Sequence, residues 1–128
     1  MSDSIKHECG VALLRLLKPL EFYQKKYGTS LYGLNKMYLL MEKQHNRGQD
    51  GAGIANVKLD AEVGKRYISR KRSVAPQPLK DLFHQANKRF IDLQKSDPEK
   101  LKNAKWLKKN MPFTGELFLG HLRYGTFG

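Results

Sequence analysis

The most constraining pattern in this sequence is a set of apolar residues at helical spacing between positions 79 and 93. They recur every three or four residues, as on the buried stripe of an amphipathic helix: Leu79, Leu82, Phe83, Ala86, Phe90 and Leu93. Pro76 and Pro78 mark the beginning of this helix. Ser96 and Glu99 have the spacing of a capping box, which predicts a second helix from there to about Lys109. We therefore expect a polar-faced helical hairpin in this part of the chain.

Apolar runs predict the remaining elements. Residues 9–17 are apolar nearly throughout and predict a short buried strand, closed by Pro19. Residues 31–44 predict an amphipathic helix with Ser30 as its N-cap. Residues 45–53 are polar and contain three glycines, which predicts a turn. Further strands are expected at 54–59, 65–72 and 115–124, the first two paired as a hairpin across 60–64. Because strands and helices mix without a regular βαβ alternation, the fold class is α+β.

Composition limits the function classes. The 128 residues fit one domain or part of one. No apolar stretch approaches the roughly 20 residues of a membrane span, and the first residues lack a signal-peptide pattern. A single cysteine excludes an internal disulfide framework, so we expect a cytoplasmic protein with no membrane partner. The formal charge of +12 favours polyanions through nonspecific attraction, but much of the excess lies between residues 65 and 109 and is typical of a solvated face.

Three segments stand apart by their residue types and their order. Cys9-Gly10 precedes the first apolar strand, QHNRGQDGAGIA occupies positions 44–55, and GHLRYGTFG occupies positions 120–128. Together they resemble the class II glutamine amidotransferases, and most closely the glutaminase domain of the amidophosphoribosyltransferase family. That family's pattern is Cys-Gly, a strand, QHRGQ-acidic-x-AGI and GH-apolar-RY-x-T-x-G. The sequence departs from it at Asn46, which is inserted between two residues that are adjacent in the family.

The resemblance implies a fold and a domain organisation. The fold is the four-layer αββα sandwich of N-terminal nucleophile hydrolases, incomplete at the C-terminus, with the helical hairpin around 77–110 as an insertion. Residues 1–8 are expected to be a propeptide, and residues 9–128 the N-terminal part of the amidotransferase domain. The oxyanion-hole Asn-Gly segment of the family follows the RY-x-T-x-G motif and is not among these residues. Since one such donor is worth roughly 10²–10³ in turnover, we expect the fragment alone to be inactive.

The resemblance also implies a nucleophile. Cys9 would attack the side-chain amide of glutamine, release ammonia and leave a glutamyl thioester that water hydrolyses, which divides one difficult step into two easier ones. Its base would be its own α-amine, whose unperturbed pKa of roughly 7.7–8.0 suits the task. That amine exists only after the peptide bond from Glu8 is cleaved.

Substrate binding is implied for three further residues. Arg123 matches the family arginine that pairs with the glutamine α-carboxylate, for which a planar guanidinium is suited. Thr126 matches the threonine that assists it with its hydroxyl. Arg47, with Gly48, matches a turn that lies against the nucleophile. Tyr124 either gates the pocket or packs as an ordinary tyrosine.

Other polar residues and glycines in the motifs are expected to be structural. His45 and His121 lack the ligand spacing of a metal site, so no metal is expected there. Gly51 and Gly53 are expected to serve the backbone, because glycine adopts positive φ without penalty.

The implied ligands are glutamine and, through an acceptor domain outside this sequence, phosphoribosyl pyrophosphate. No cofactor is expected within the segment, and a divalent metal such as Mg²⁺ would belong to that acceptor domain. The full-length protein is expected to be a homo-oligomer that does not bind nucleic acid.

Two alternatives stay open at this point. The glutaminase half could serve a different acceptor, as in glucosamine-phosphate synthase, asparagine synthetase or glutamate synthase. Alternatively, the chain could be a basic module whose Lys-rich helices bind nucleic acid or an acidic partner, with Cys9 as an inert buried thiol.

Overall fold

The described part of the chain consists of one antiparallel sheet with helices on one of its faces. A computed structural model describes residues 9–44 and 49–124. The four strands are β1 Gly10–Arg15, β2 Gln49–Val57, β3 Ile68–Ser73 and β4 Leu117–Tyr124. The helices are α1 Leu20–Tyr27, α2 Tyr32–Gln44, α3 Pro78–Ser96 and α4 Ala104–Asn110, with a 3-10 helix at Pro98–Lys102 between α3 and α4. The α+β class is therefore confirmed.

The strand order is β1-β4-β2-β3, and every neighbouring pair is antiparallel. The predicted β2–β3 hairpin and the predicted strand at 115–124 are both confirmed. β4 is the last strand in the chain, yet it lies between β1 and β2. This order places the N-terminal strand beside the last one.

The turn predicted for residues 45–53 is wrong in its second half. Residues 45–48 lie outside the described part, but β2 already begins at Gln49. Gly51 and Gly53 are strand residues, and the glycines that adopt positive φ in the described ranges are Gly28 and Gly64. The glycine-rich segment is held as a strand because β3 and β4 pair with it on both sides and satisfy its backbone groups.

Helix α2 packs closely on the centre of the sheet. Its residues Leu34, Met37 and Met41 are buried against the strands. Two glycines permit the close approach, one in the helix and one in β4. A Cβ atom on Gly33 would lie 2.5 Å from Cε2 of Phe118, and a Cβ atom on Gly120 would lie 2.6 Å from Sδ of Met41. The predicted helix at 31–44 is confirmed.

Helix α3 covers the other half of the same face. It buries one side against β2 and β3, through residues that the periodicity singled out: Leu79, Leu82, Phe83, Ala86 and Phe90. Phe83 meets Tyr38 of α2 edge to face, with ring centroids 5.2 Å apart. The predicted helix at 79–93 is thus confirmed, and α3 belongs to the layer that covers the sheet.

Two predicted helix caps are wrong. Ser96 is the last residue of α3, and the next α-helix begins after Asn103, whose Oδ1 accepts a hydrogen bond from the Trp106 N–H at 3.0 Å. The hydroxyl of Ser30 donates to Oε1 of Gln24 at 2.9 Å instead of capping α2. At position 30, a hydrogen bond to another side chain replaces the predicted cap.

The opposite face of the sheet carries exposed apolar side chains. Val11 is 61% exposed, Leu13 is 65% exposed and Leu119 is 50% exposed. The predicted strand at 9–17 therefore exists, but it is buried on one face only. Across the described ranges, no helix has both the length and the apolarity needed to cross a bilayer.

Candidate functional site

The sheet register brings two of the three motifs to one end of the sheet. Gly10 of β1 pairs with Leu122 of β4, so continuing this antiparallel register by one residue sets Cys9 opposite Arg123. Arg123 in turn pairs with Gly51 of β2. Gly51 and Arg123 therefore lie in one row of adjacent strands, and Cys9 precedes β1 at the same end of the sheet.

Cys9 and Arg123 lie on the open face of the sheet. Side chains alternate between the two faces of a strand, and Leu122 points into the core beneath α2. Arg123 is accordingly exposed, and Cys9 is exposed as well. Residues directly opposite in an antiparallel pair have Cβ atoms about 4.5–5.5 Å apart. Cys9 lies one residue before β1, so this end of the sheet presents an exposed thiol and an exposed guanidinium.

Gly51 provides the surface on which Arg123 lies. A Cβ atom at Gly51 would be 3.4 Å from Cβ and 3.7 Å from Cδ of Arg123. The arginine side chain thus extends over the β2 backbone at a position that has no side chain of its own. A Cβ atom at these distances would make ordinary van der Waals contact with Arg123, and the expectation that Gly51 supplies positive φ is wrong.

Gln44 lies against Gly10, in the neighbouring row that contains Leu122. A Cβ atom at Gly10 would be only 2.8 Å from Oε1 of Gln44, the last residue of α2. The next described residue, Gln49, pairs with Tyr124 of β4. Both described neighbours of the 45–48 segment therefore lie at the Cys9 end of the sheet. Sequence reasoning did not single out Gln44, although its place as the first residue of QHNRGQ was a usable signal.

Several predicted site residues lie outside the described part of the chain. Arg47 and Thr126 belong to this group, as do His45 and Gly48. For Tyr124 only the backbone pairing is described. The structure therefore brings Cys9 together with Arg123 and leaves the predicted roles of Arg47 and Thr126 as predictions.

The open face also carries two arginines of β3. His121 pairs with Gly53, which pairs on its other side with Arg72, and Arg70 lies two residues further along β3 on the same face. Asp50, the acidic residue of the second motif, is exposed at a β-bulge between Gln49 and Gly51. Guanidinium groups bind carboxylates through charge-assisted hydrogen bonds. This surface is therefore suited to a substrate that carries a carboxylate.

No metal site is found among the described residues, and no known protein matches the chain. Within residues 9–44 and 49–124, no group of three or more His, Cys, Asp and Glu side chains is arranged to hold a metal ion. The chain matches no protein family, no curated protein and no solved structure.

Proposed function

We propose that this chain is the N-terminal part of a class II glutamine amidotransferase domain, in which Cys9 hydrolyses glutamine to supply ammonia. The acceptor is phosphoribosyl pyrophosphate, in the first step of purine biosynthesis. The observation that carries the proposal is the β1–β4 register. Its end pair, Gly10 with Leu122, leaves Cys9 and Arg123 as the next residue of each chain at that end of the sheet, which supports a shared role for the proposed nucleophile and the proposed carboxylate ligand.

The chemistry follows from these two groups. The Cys9 sulfur forms a bond to the side-chain carbonyl carbon of glutamine, and the thiol proton passes through the α-amine of Cys9 to the departing ammonia. Water then cleaves the thioester and releases glutamate. Arg123 holds the α-carboxylate of the substrate during both steps. The α-amine acts as the base only after residues 1–8 have been removed as a propeptide.

The layer arrangement supports the αββα sandwich of N-terminal nucleophile hydrolases. Helices α2 and α3 cover one face of the sheet, and the other face carries the exposed side chains of Val11, Leu13 and Leu119. A helix layer and a sheet with an apolar open face correspond to half of such a sandwich. A second sheet packed on this face would bury the apolar residues.

The remaining roles belong to the same proposal. Arg47 orders the N-terminal Cys9, and Thr126 assists Arg123 at the substrate. The protein acts in the cytoplasm as a homo-oligomer. Its glutaminase half needs no cofactor, and any divalent metal such as Mg²⁺ belongs to the acceptor domain.

An electrophilic glutamine analogue tests the proposal. A diazoketone analogue is incubated with a longer form of the protein that includes the oxyanion-hole segment, and the adduct is located by peptide mass spectrometry. We expect one adduct on Cys9, a mature chain that begins at Cys9, and protection by excess glutamine. Cys9→Ser is the control that abolishes the adduct.

Two results would contradict the proposal. An active preparation whose chain still begins at Met1 or Ser2 would exclude the α-amine mechanism. An unlabelled Cys9 in a protein that hydrolyses glutamine would exclude its role as nucleophile. If a form that also includes the acceptor domain hydrolyses glutamine but does not transfer ammonia to phosphoribosyl pyrophosphate, the acceptor assignment is wrong and the glutaminase role stands.

A further inference from the structure

A basic cavity lies at the end of the sheet opposite Cys9. It has a volume of about 310 Å³ and is bounded by the segment after β2, by α4 and by the start of α1. Six cationic side chains line it: Lys58, Lys65, Arg66, Lys105, Lys108 and Lys109. The carboxylates of Glu21, Asp60, Glu62 and Glu116 line it as well. The pairing between these groups decides what the cavity can bind.

Two of the cations already have carboxylate partners. Nζ of Lys108 lies 2.6 Å from Oε2 of Glu116 and donates to the Leu59 carbonyl at the same distance. The second oxygen of Glu116 accepts from the Leu59 N–H at 2.9 Å. Lys109 and Glu62 approach to 3.7 Å. These contacts fix one wall of the cavity and neutralise the groups that form it.

The remaining charges leave the cavity positive. Lys58, Lys65, Arg66 and Lys105 are balanced only by Glu21 and Asp60. Lys58 is partly buried, and among the described residues its ammonium group has no hydrogen bond or ion pair. Burial lowers its pKa, and the nearby charges of Lys108 and Arg89 lower it further, against an opposing effect of Glu116. An anion beside Lys58 would replace lost hydration and offset the repulsion.

We propose that this cavity binds a phosphate-type anion, with Lys58 as its central ligand and Lys65, Arg66 and Lys105 around it. A phosphate or pyrophosphate group carries more than one negative charge and several acceptor oxygens, which suits several cations converging on one small space. The volume is at the lower end of ligand pockets, which fits a small phosphate compound.

The cavity is separate from the candidate active site. Gly51 marks the Cys9 end of β2 and Lys58 follows its other end. With a rise of about 3.4 Å per residue, the two ends are about 20 Å apart. The proposal therefore does not depend on the glutaminase assignment.

Inorganic pyrophosphate is the probe that tests it. Binding to the full 128-residue chain is measured by titration calorimetry at constant ionic strength. We expect saturable binding at one site. Lys58→Met should weaken it about tenfold or more, because a charged hydrogen bond is lost. Lys58→Arg should stay within a few-fold of the parent, since it keeps the charge.

Two further variants separate this site from general charge attraction. Lys105→Met replaces an exposed residue that lines the cavity and should also weaken pyrophosphate binding. This variant tests the proposal if Lys58→Met does not fold. Lys95→Met removes an exposed lysine from the end of α3, away from the cavity, and should bind like the parent. Equal losses in Lys95→Met and Lys105→Met would overturn the proposal in favour of nonspecific attraction to a chain of charge +12. Absent or non-saturable binding would overturn it as well.

Discussion

Cys9 and Arg123 are distant in the sequence and become neighbours through the pairing of β1 with β4. The motif resemblance predicted both residues, but it did not predict the reason why they meet. Gln44 was missed, although it opens the second motif, because its contact with Gly10 depends on how α2 lies on the sheet. Gly51 was expected to supply positive φ, but its pairing with Arg123 holds it in an extended strand.

Replacing Arg123 tests substrate recognition at this site. Arg123→Ala should raise KM for glutamine by about 10- to 100-fold in an active, longer form of the protein, because charged hydrogen bonds to the α-carboxylate are lost. Arg123→Lys should recover part of the loss, since it restores the charge without the planar fork. Arg15→Ala is the matched control. It removes an exposed arginine at the other end of the β1–β4 pair, opposite Leu117, and should leave KM unchanged. An unchanged KM for Arg123→Ala would refute the assignment.

The ion pair between Lys108 and Glu116 gives a second prediction about single residues, and this one concerns the stability of the fold. The Glu116 side chain is 8% exposed and that of Lys108 is 27% exposed. Glu116→Gln should lower the free energy of unfolding by about 2 kcal/mol, less than for a fully buried pair because Lys108 keeps some solvent.

Urea denaturation provides the measurement, and Glu99→Gln provides the comparison. Glu99 and Lys102 form an exposed pair at 3.7 Å, so that substitution should change the free energy of unfolding by about 0.5 kcal/mol or less. Equal effects of the two substitutions would mean that the burial of Glu116 adds nothing to its ion pair.

At the scale of secondary structure, strong periodicity predicted α2 and α3, whereas α1 was missed. Helix α1 has few buried residues of its own, chiefly Leu20 and Tyr23. It is held in place by contacts with α2. Tyr23 and Tyr27 both stack on Tyr32 of that helix, with ring centroids 5.1 and 4.4 Å away. Such tertiary contacts leave no repeating signal along the sequence of α1.

The packing of α2 on β4 gives the prediction at this scale. Gly33→Ala would improve helix propensity by about 1 kcal/mol if the site were exposed. Its Cβ would instead lie 2.5 Å from the buried ring of Phe118 and 3.1 Å from Cδ1 of Leu16. We expect a net loss of about 1–3 kcal/mol in the free energy of unfolding, as for overpacked cores. Asn35→Ala, at an exposed position of the same helix, should be neutral or stabilising. A stabilised Gly33→Ala protein would show that α2 can shift away from the sheet.

At the scale of the whole molecule, the sheet connects two chemically different ends. One end holds Cys9 and Arg123, and the other holds the basic cavity around Lys58. The sequence patterns predicted the α+β class and most of the elements. They did not predict the strand order, because the insertion of β4 between β1 and β2 follows from long-range pairing. The uneven burial of β1 was also missed, since a run of apolar residues does not show how many layers cover it.

The exposed apolar residues on the open face of the sheet give a prediction about a second layer. Leu13 is 65% exposed in the described structure, so Leu13→Ser should change the free energy of unfolding of the 128-residue chain by about 0.5 kcal/mol or less. If a second sheet covers this face in a longer protein, the same substitution should cost about 1.5–3 kcal/mol there, because a buried leucine is lost. Leu17→Ser is the control, since Leu17 lies beyond the end of β1 and is 81% exposed. A small effect of Leu13→Ser in both chains would mean that no layer packs on Leu13, which would contradict the four-layer sandwich while leaving the row of Cys9 and Arg123 intact.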